Sequence, residues 1–412
     1  MKGYDIIKTQ EEFENLITQK TNKEKIKFLV PKGNREFVER IEEKCYYNGE
    51  KKEKGKKYYE FFYFIRKYTY LVKTVYLDTK EVSQIFKRRG NWEPFRENRH
   101  DNNYPDFLYV DGKFTYDRRL FGVKSLLKNQ VYNHEYITRK DELFKNLGDK
   151  KYLFDNYNLD INNINYQKVE EMFNKNKVLI LKPVKGFKGL GITIFDGFDN
   201  FKNYMKEKKY LDSIEEVEGK KLGPSKEKDK YRDWVLQEYI NNPLLVKGRK
   251  FHIRIYYLVY HTEAFFYNIG KIITAGEKYK REDYLNKKIH DTHITDSLQG
   301  MFFPESLKLT KKREKELWEQ IIQIFKDIKK LGKFECFPES KDCYQIFGAD
   351  LMITDDYKVK MLELNTKLGF NEFEGIRFNK YLIENEMQTI VDNIFPPEKK
   401  QRSLEDKYFI KI

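Results

Sequence analysis

A chain of 412 residues with 80 Lys and Arg against 65 Asp and Glu has a formal charge of +15, so an acidic partner is expected: nucleic acid, an anionic surface or an acidic protein segment. Three cysteines (Cys45, Cys336 and Cys343), an odd number without CxxC spacing, argue against a disulfide framework or zinc site and for a reducing compartment. The opening MKGYDIIKTQEEFENL lacks the apolar core of a signal peptide and no later run is long and apolar enough to cross a bilayer, so a soluble cytoplasmic protein without membrane contact is expected.

The length allows two or three domains, each with its own core. From the N-terminus the patterning predicts a short helix around Glu11 to Gln19, a strand Ile26 to Val30, a helix Arg35 to Cys45 and an aromatic strand-like run, Tyr58 to Tyr70. Between the last two, EKKEKGKK reads as a solvated hairpin tip rather than a basic contact loop. Val82 to Gly90 reads as a helix broken at Asn91-Trp92-Glu93-Pro94-Phe95, and Phe107 to Val110 as a strand. Leu120 to Lys128 and Arg139 to Asn146 look helical, the second with Thr138 as N-cap. Lys140 in its first turn is within reach of a phosphate, although such a lysine is usually solvated.

Val178 to Pro183 is a buried-type strand that carries Lys182 near its end and runs into KGFKGLGITIF. Gly186, Gly189 and Gly191 let backbone amides approach a phosphate there. The loop leads into a strand, so it matches neither the P-loop nor the dinucleotide fingerprint, and an ordinary glycine hairpin explains it as well. Gly219 to Arg232 is charged and punctuated by Gly and Pro, hence a loop. The strand Trp234 to Tyr239 and the connector Asn241-Asn242-Pro243 precede the most alternating strand of the chain, Lys250 to Val259. Its even positions set Lys250, His252 and Arg254 on one face and its odd positions Phe251, Ile253 and Ile255 on the other. Residues 256–259 are too aromatic and apolar for an exposed strand, so those cations look inward and imply an anion. Phe265 to Thr274 is a further strand, Gly276 to Asp291 a polar loop, and Lys311 to Leu331 a helix whose Leu317, Trp318, Ile321, Ile322, Phe325 and Ile328 form a core stripe.

The stretch Tyr344 to Gly369, YQIFGADLMITDDYKVKMLELNTKLG, reads as two strands, Ile346 to Ile353 and Lys358 to Leu364, about the turn Thr354-Asp355-Asp356-Tyr357. Folding about that turn sets Asp350 opposite Glu363. Alternation gives Leu351, Ile353, Leu362 and Leu364 the apolar face and Asp350, Glu363 and Asn365 the other. Two carboxylates and an amide oxygen suit Mg2+, which is completed by substrate phosphates, so the trio predicts a nucleotide; any one of them alone reads as a solvated acid. A helix near Ile376 to Asn393, a Pro396-Pro397 stop and a charged tail close the chain.

Taken in order, ITRKDELFKNL, LKPVKGFKGLGI, VLQEYINNPLLVKGRKFHIRIYYLV, YNIGKIITAGEKY, HITDS, FGADLMI and KVKMLELN resemble the tubulin tyrosine ligase-like family over roughly residues 76 to 397. The resemblance implies an α/β (α+β) ATP-grasp fold: an N-terminal extension at 1–75, a small α/β domain at 76–135, a central subdomain at 136–237, a C-terminal subdomain at 238–397 and a charged tail at 398–412. It implies ATP and Mg2+ as cofactors, with Asp350, Glu363 and Asn365 as metal ligands. Lys140 and Lys182 match nucleotide-contacting lysines, Gly189 the loop, and Gln237, Glu238, Tyr239 and Ile240 the hinge beneath adenine. Lys250, His252 and Arg254 fall in the family's K-F-D-[IL]-R motif, and His293, Thr295 and Asp296 in its H-L-T-N motif. His252 replaces an aspartate, Ile273 an arginine and Asp296 an asparagine; Lys271, on the same strand face as Ile273, is the substitute cation. Arg254, Lys271 and Asp296 are thus the expected catalytic residues. The expected activity joins a free amino acid to a carboxylate of an acidic protein, by default the tubulin tail, in a monomeric cytoplasmic enzyme associated with microtubules and without a nucleic-acid partner. The alternative is a degenerate ATP-grasp protein that binds nucleotide or microtubules without ligating.

Overall fold

The computed structural model describes residues 5–19, 25–33, 35–42, 46–53, 56–64, 68–73, 79–95, 104–110, 124–184, 191–207, 233–292, 298, 300–332, 334–366, 368, 376–395, 397 and 408–412. The chain packs as two units, one from residues 1–70, 83–96 and 397–401 and the other from residues 71–82, 97–396 and 402–412.

In the first unit a four-stranded sheet runs in the order Asp5–Ile6, Lys25–Pro31, Lys56–Phe64, Tyr46–Glu53. The helices Gln10–Gln19 and Arg35–Glu42 contribute Phe13, Leu16, Phe37, Val38 and Ile41 to a core with Phe28, Val30 and Phe61. The lysine-rich segment is a hairpin, as its polarity suggested, with Glu53 paired opposite Lys56.

The second unit holds two sheets. The larger is organised by two long antiparallel strands, Arg249–Tyr260 and Ser340–Ile353, in register from Ile253↔Leu351 to Tyr260↔Tyr344. A two-residue turn, Lys247 (φ 49°) and Gly248 (φ 76°), pairs Leu245–Val246 with the start of the first of these strands; both residues need the left-handed region, which glycine reaches without strain. The odd side chains Phe251, Ile253, Ile255 and Tyr257 enter the main core beneath the helix Lys311–Leu331. That helix buries Leu317, Ile321, Ile324, Phe325 and Ile328, and Phe325 stacks on Tyr257 at 4.8 Å. The smaller sheet, Thr193–Phe195, Leu179–Pro183, Asp233–Glu238 and Asn156–Asp160, is antiparallel throughout. One of its faces buries Leu179, Leu181, Trp234 and Leu236 with Val169, Phe173 and Phe201. The other face carries Lys182 and Gln237 beside Ile180 and Val235.

Several expectations are corrected. The described part of Leu120 to Lys128 is a strand, Ser125–Lys128, pairing in parallel with Ser340–Ile353 and Phe107–Val110; pairing on both edges overrides local preference. Thr138 does not cap the next helix. It closes the turn Glu135–Thr138 by donating to the His134 carbonyl at 3.1 Å, and Lys140–Leu147 starts from an extended Arg139. Phe265 to Thr274 is two strands, Glu263–Tyr267 and Gly270–Thr274, which pair with successive parts of Arg249–Tyr260. At the break, a Cβ on Gly270 would fall 2.3 Å from Ile255 Cδ1. Cys336 and Cys343 form a disulfide, since Cys336 bridges Val131 while Cys343 pairs with Lys128, three residues away in the neighbouring segment. The end of the charged tail forms a strand, Phe409–Lys411, on Glu263–Tyr267.

The hairpin itself folds with Asp350 opposite Glu363 and Gly348 opposite Asn365. A β-bulge after Asp350 then shifts the register so that Leu351 faces Met361. Met361 is therefore fully buried, and Leu362, assigned to the core by strict alternation, is half-buried at its edge. In urea unfolding, Met361→Ala should cost about 2–5 kcal/mol and Leu362→Ala less than half as much. Equal or inverted costs would contradict the bulged register.

Candidate functional site

The polar end of the hairpin meets the inward face of Arg249–Tyr260. Arg254 is in register with Asp350 and grips it with both prongs, Nε to Oδ1 and Nη2 to Oδ2, each at 2.7 Å. Asp350 is only 1% exposed. Burial opposes the Arg254 charge, but the carboxylate of Asp350 more than compensates and pushes its pKa above the ordinary guanidinium value. Asn365 Nδ2 donates to Asp350 Oδ2 at 3.0 Å and to Glu363 Oε1 at 2.9 Å, so the three expected metal ligands touch one another. Glu363 Oε2 also lies 3.2 Å from Lys140 Nζ, which joins the helix Lys140–Leu147 to the site.

Whether a divalent cation fits rests on this donor set. Each oxygen of Asp350 keeps a second lone pair beyond the arginine, Glu363 offers two oxygens, and rotating the Asn365 amide presents its Oδ1. Among the described residues no three His, Cys, Asp or Glu gather at one point. The set is therefore two carboxylates and an amide, all hard donors and too few to enclose an ion, which suits Mg2+ shared with phosphate oxygens.

Lysines from two sheets face the same region. Lys182, on the second face of the smaller sheet, donates to Gln237 Oε1 at 2.8 Å. Burial lowers its pKa to about 8; Glu363 works against the shift and Lys140 adds to it. Lys250, 3% exposed, donates to the Tyr239 hydroxyl at 2.8 Å and sits 4.0 Å over its ring. Burial, reinforced by Lys182, lowers its pKa to about 7. Two desolvated ammonium groups, Lys182 facing Glu363 and Lys250 facing Lys182, suit a polyanion.

Between Lys250 and Arg254, the His252 ring is 1% exposed: Nδ1 is 2.6 Å from Thr292 Oγ1 and Nε2 is 3.7 Å from Asp350 Oδ1. Ile273 pairs with His252 across the strands, and Lys271 pairs with Arg254 and places its ammonium 5.1 Å over Phe378. Thus Lys140, Lys182, Gln237, Tyr239, Lys250, His252, Arg254, Lys271, Asp350, Glu363 and Asn365 come together. The Glu238 carboxylate instead accepts from the Asp155 amide at 3.4 Å, and Ile240 packs into the main core, leaving only their backbones for recognition. Gly189, His293, Thr295 and Asp296 lie outside the described residues.

Sequence reasoning missed the support of Lys250. His290 Nε2 lies 2.8 Å from the Asp283 carbonyl, which can only accept, so Nδ1 accepts from the Tyr239 hydroxyl at 2.6 Å and the Tyr239 oxygen is left to accept from Lys250. Burial, with Lys250 nearby, lowers the His290 pKa to about 4 and keeps the ring neutral. Tyr279 and Tyr284 tie the same loop to Asn241, at 2.9 Å and 3.2 Å. The available signal was three rings, Tyr279, Tyr284 and His290, in an otherwise charged loop.

Comparisons with known proteins bear on the fold and the family. A probable tubulin–tyrosine ligase of Schizosaccharomyces pombe is 25% identical over 263 residues, 56% of this chain and 62% of that protein, so the chain spans under two thirds of that relative's length. A probable tubulin polyglutamylase of Caenorhabditis elegans is 23% identical over 355 residues, 76% of this chain and 78% of that one. The crystal structure of the C-terminal domain of K. lactis Pby1, an ATP-grasp enzyme, superposes with a TM-score of 0.56 at 20% identity, covering 83% of this chain and 98% of the other. The fold is therefore the ATP-grasp fold. The model of the tubulin-tyrosine ligase family matches residues 124–401, and the chain belongs to that family of ligases.

Proposed function

We propose that this protein is an ATP- and Mg2+-dependent ligase that joins the amine of a free amino acid to a carboxylate of an acidic protein, with the tubulin C-terminal tail as acceptor. The carrying observation is the convergence of Asp350, Glu363 and Asn365 with Lys140, Lys182 and Lys250. In such a reaction the acceptor carboxylate takes a phosphoryl group, ADP leaves, and the amine then displaces phosphate from the acylphosphate to leave an amide. Bound Mg·ATP supplies the electrophilic phosphorus.

The chain's own residues hold and orient. Asp350, Glu363 and Asn365 bind the metal, and Lys140 and Lys182 neutralise phosphate charge. Gly189 belongs to the phosphate loop and the Gln237 to Ile240 backbone reads adenine. Lys250, aimed by Tyr239 and His290, meets the nucleotide, as do His252, His293 and Thr295. Arg254 fixes Asp350 and presents its remaining donors to the reacting groups, and Lys271 receives the carboxylate of the amino acid. Asp296 draws the incoming amine. In this reading residues 136–237 and 238–397 are the two ATP-grasp subdomains, 76–135 a small domain before them and 1–75 an extension. The enzyme works as a monomer in the cytoplasm at microtubules; its net charge serves the acidic acceptor rather than nucleic acid.

A second reading is a nucleotide binder without ligase activity. It draws on His252 and Ile273, two departures from the family pattern that face each other across one strand pair beside Asp350. Intact-mass analysis of tubulin after incubation with this protein, Mg·ATP and mixed amino acids separates the two: ligation predicts an increment equal to one residue mass or its multiples. With ATP bound and no increment, the ligase reading fails.

Glu363→Gln, which keeps the shape and removes the charge, should lower the rate by about 100-fold or more while leaving the fold intact by circular dichroism. An active Glu363→Gln enzyme would move the metal elsewhere.

The depressed lysines add a pH dependence. Between pH 7 and 10.5 the unfolded chain retains the proton that folded Lys250 releases, so this group's contribution to stability rises with pH through that window and is absent below it. A phosphate beside Lys250 favours the charged form, so nucleotide binding at pH 8 should take up protons. Calorimetry in buffers of different ionisation enthalpy reads the uptake, which should be smaller in Lys250→Met; no uptake by the wild type would remove Lys250 from the nucleotide site.

A further inference from the structure

The first unit contains a cleft of about 560 Å³ that has no part in the site above. Sheet register assembles it. The strand Asp5–Ile6 runs beside Lys25–Pro31, so Lys8 emerges next to Pro31; Pro31 pairs with Tyr58, and the Lys32 amide donates to the Lys57 carbonyl at 3.3 Å. Phe37, from the helix Arg35–Glu42, supplies an apolar wall. Lys8, Lys32, Lys56 and Lys57 line it, and no acidic residue does among the described residues. Lys32 is oriented by an ion pair to Glu50 and lies 4.8 Å over the Tyr59 ring. Lys8, Lys56 and Lys57 are exposed and make no side-chain ion pair with the described residues.

We propose that this cleft is a binding site for an extended acidic peptide segment. Among the described lining residues the cations are lysines alone, mobile point charges suited to carboxylates spaced along a flexible chain, and none is an arginine, whose planar fork matches phosphate in two contacts. Tyr58, half-buried, and the small exposed part of Phe37 give an apolar surface against which the backbone and side-chain stems of such a peptide lie. The volume is that of a ligand pocket and accommodates a few residues rather than a folded surface. The site stands apart from the ligase reading, since it uses none of the nucleotide-site residues and its test reads binding alone.

Gly33 offers a clean probe. It lines the cleft, its φ is outside the left-handed region, and an added Cβ meets nothing within 4 Å, so Gly33→Glu introduces a carboxylate without steric cost. A fluorescent oligoglutamate peptide ending in an aromatic residue, titrated with the full chain and followed by anisotropy, should bind in a salt-sensitive way. Gly33→Glu and the double change Lys56→Glu, Lys57→Glu should each weaken it at least about tenfold, as rim attractions become like-charge contacts. Unchanged affinity in both cleft variants, each folded by circular dichroism, would overturn the assignment. So would a single-stranded oligonucleotide of equal charge that binds more tightly than the peptide and is lost in the same variants.

Discussion

A guanidinium and a carboxylate buried opposite each other on two central strands set the terms for the rest of this site. In a poorly solvated interior an unpaired charge is costly, and breaking such a pair by removing one partner typically costs about 3–5 kcal/mol. The bidentate contact fixes the register of Arg249–Tyr260 against Ser340–Ile353 and holds Asp350 at one angle. Asn365 then carries that order to Glu363, and Glu363 to Lys140. A chain of charge-assisted contacts thus runs from the core of the larger sheet to a helix that packs beside the smaller one.

The lysines are arranged on the opposite principle. Lys250 and Lys182 are desolvated beside each other, and their hydrogen-bond partners are a phenol and an amide, with Glu363 only partly offsetting the burial of Lys182. That arrangement disfavours their charge in the free protein and favours it beside a polyanion, so the surrounding sheet holds a site that is electrostatically incomplete by itself. The relay from Lys250 through Tyr239 to neutral His290 keeps the amine pointed without supplying a counter-charge.

Much of this was legible in the chain. Period-two alternation is strong at Lys250 to Val259 and Tyr344 to Leu364 because one face of each strand must be apolar, and it brought Asp350 to Glu363 correctly. It failed after Asp350, where a bulge inserts one residue: no composition signal marks a bulge, so Met361 and Leu362 exchange roles. Ser125–Lys128 was misread because a four-residue strand paired on both edges has no period to detect. The Cys336–Cys343 pairing depends on Val131 and Lys128, which are remote in sequence. His290 escaped for the same reason, since its partners Tyr239 and Asp283 meet it only once the loop has docked.

Relatives at 23–25% identity differ in the reaction their names describe. The central claim is that the hairpin trio holds the metal of a nucleotide site. A crystal structure with Mn2+ and a non-hydrolysable ATP analogue tests it most directly, through the anomalous signal of the metal. The account predicts a peak about 2 Å from oxygens of Asp350 and Glu363, with the phosphates between it and Lys182. A peak on other ligands, or a nucleotide bound away from Lys182 and Lys250, would contradict it.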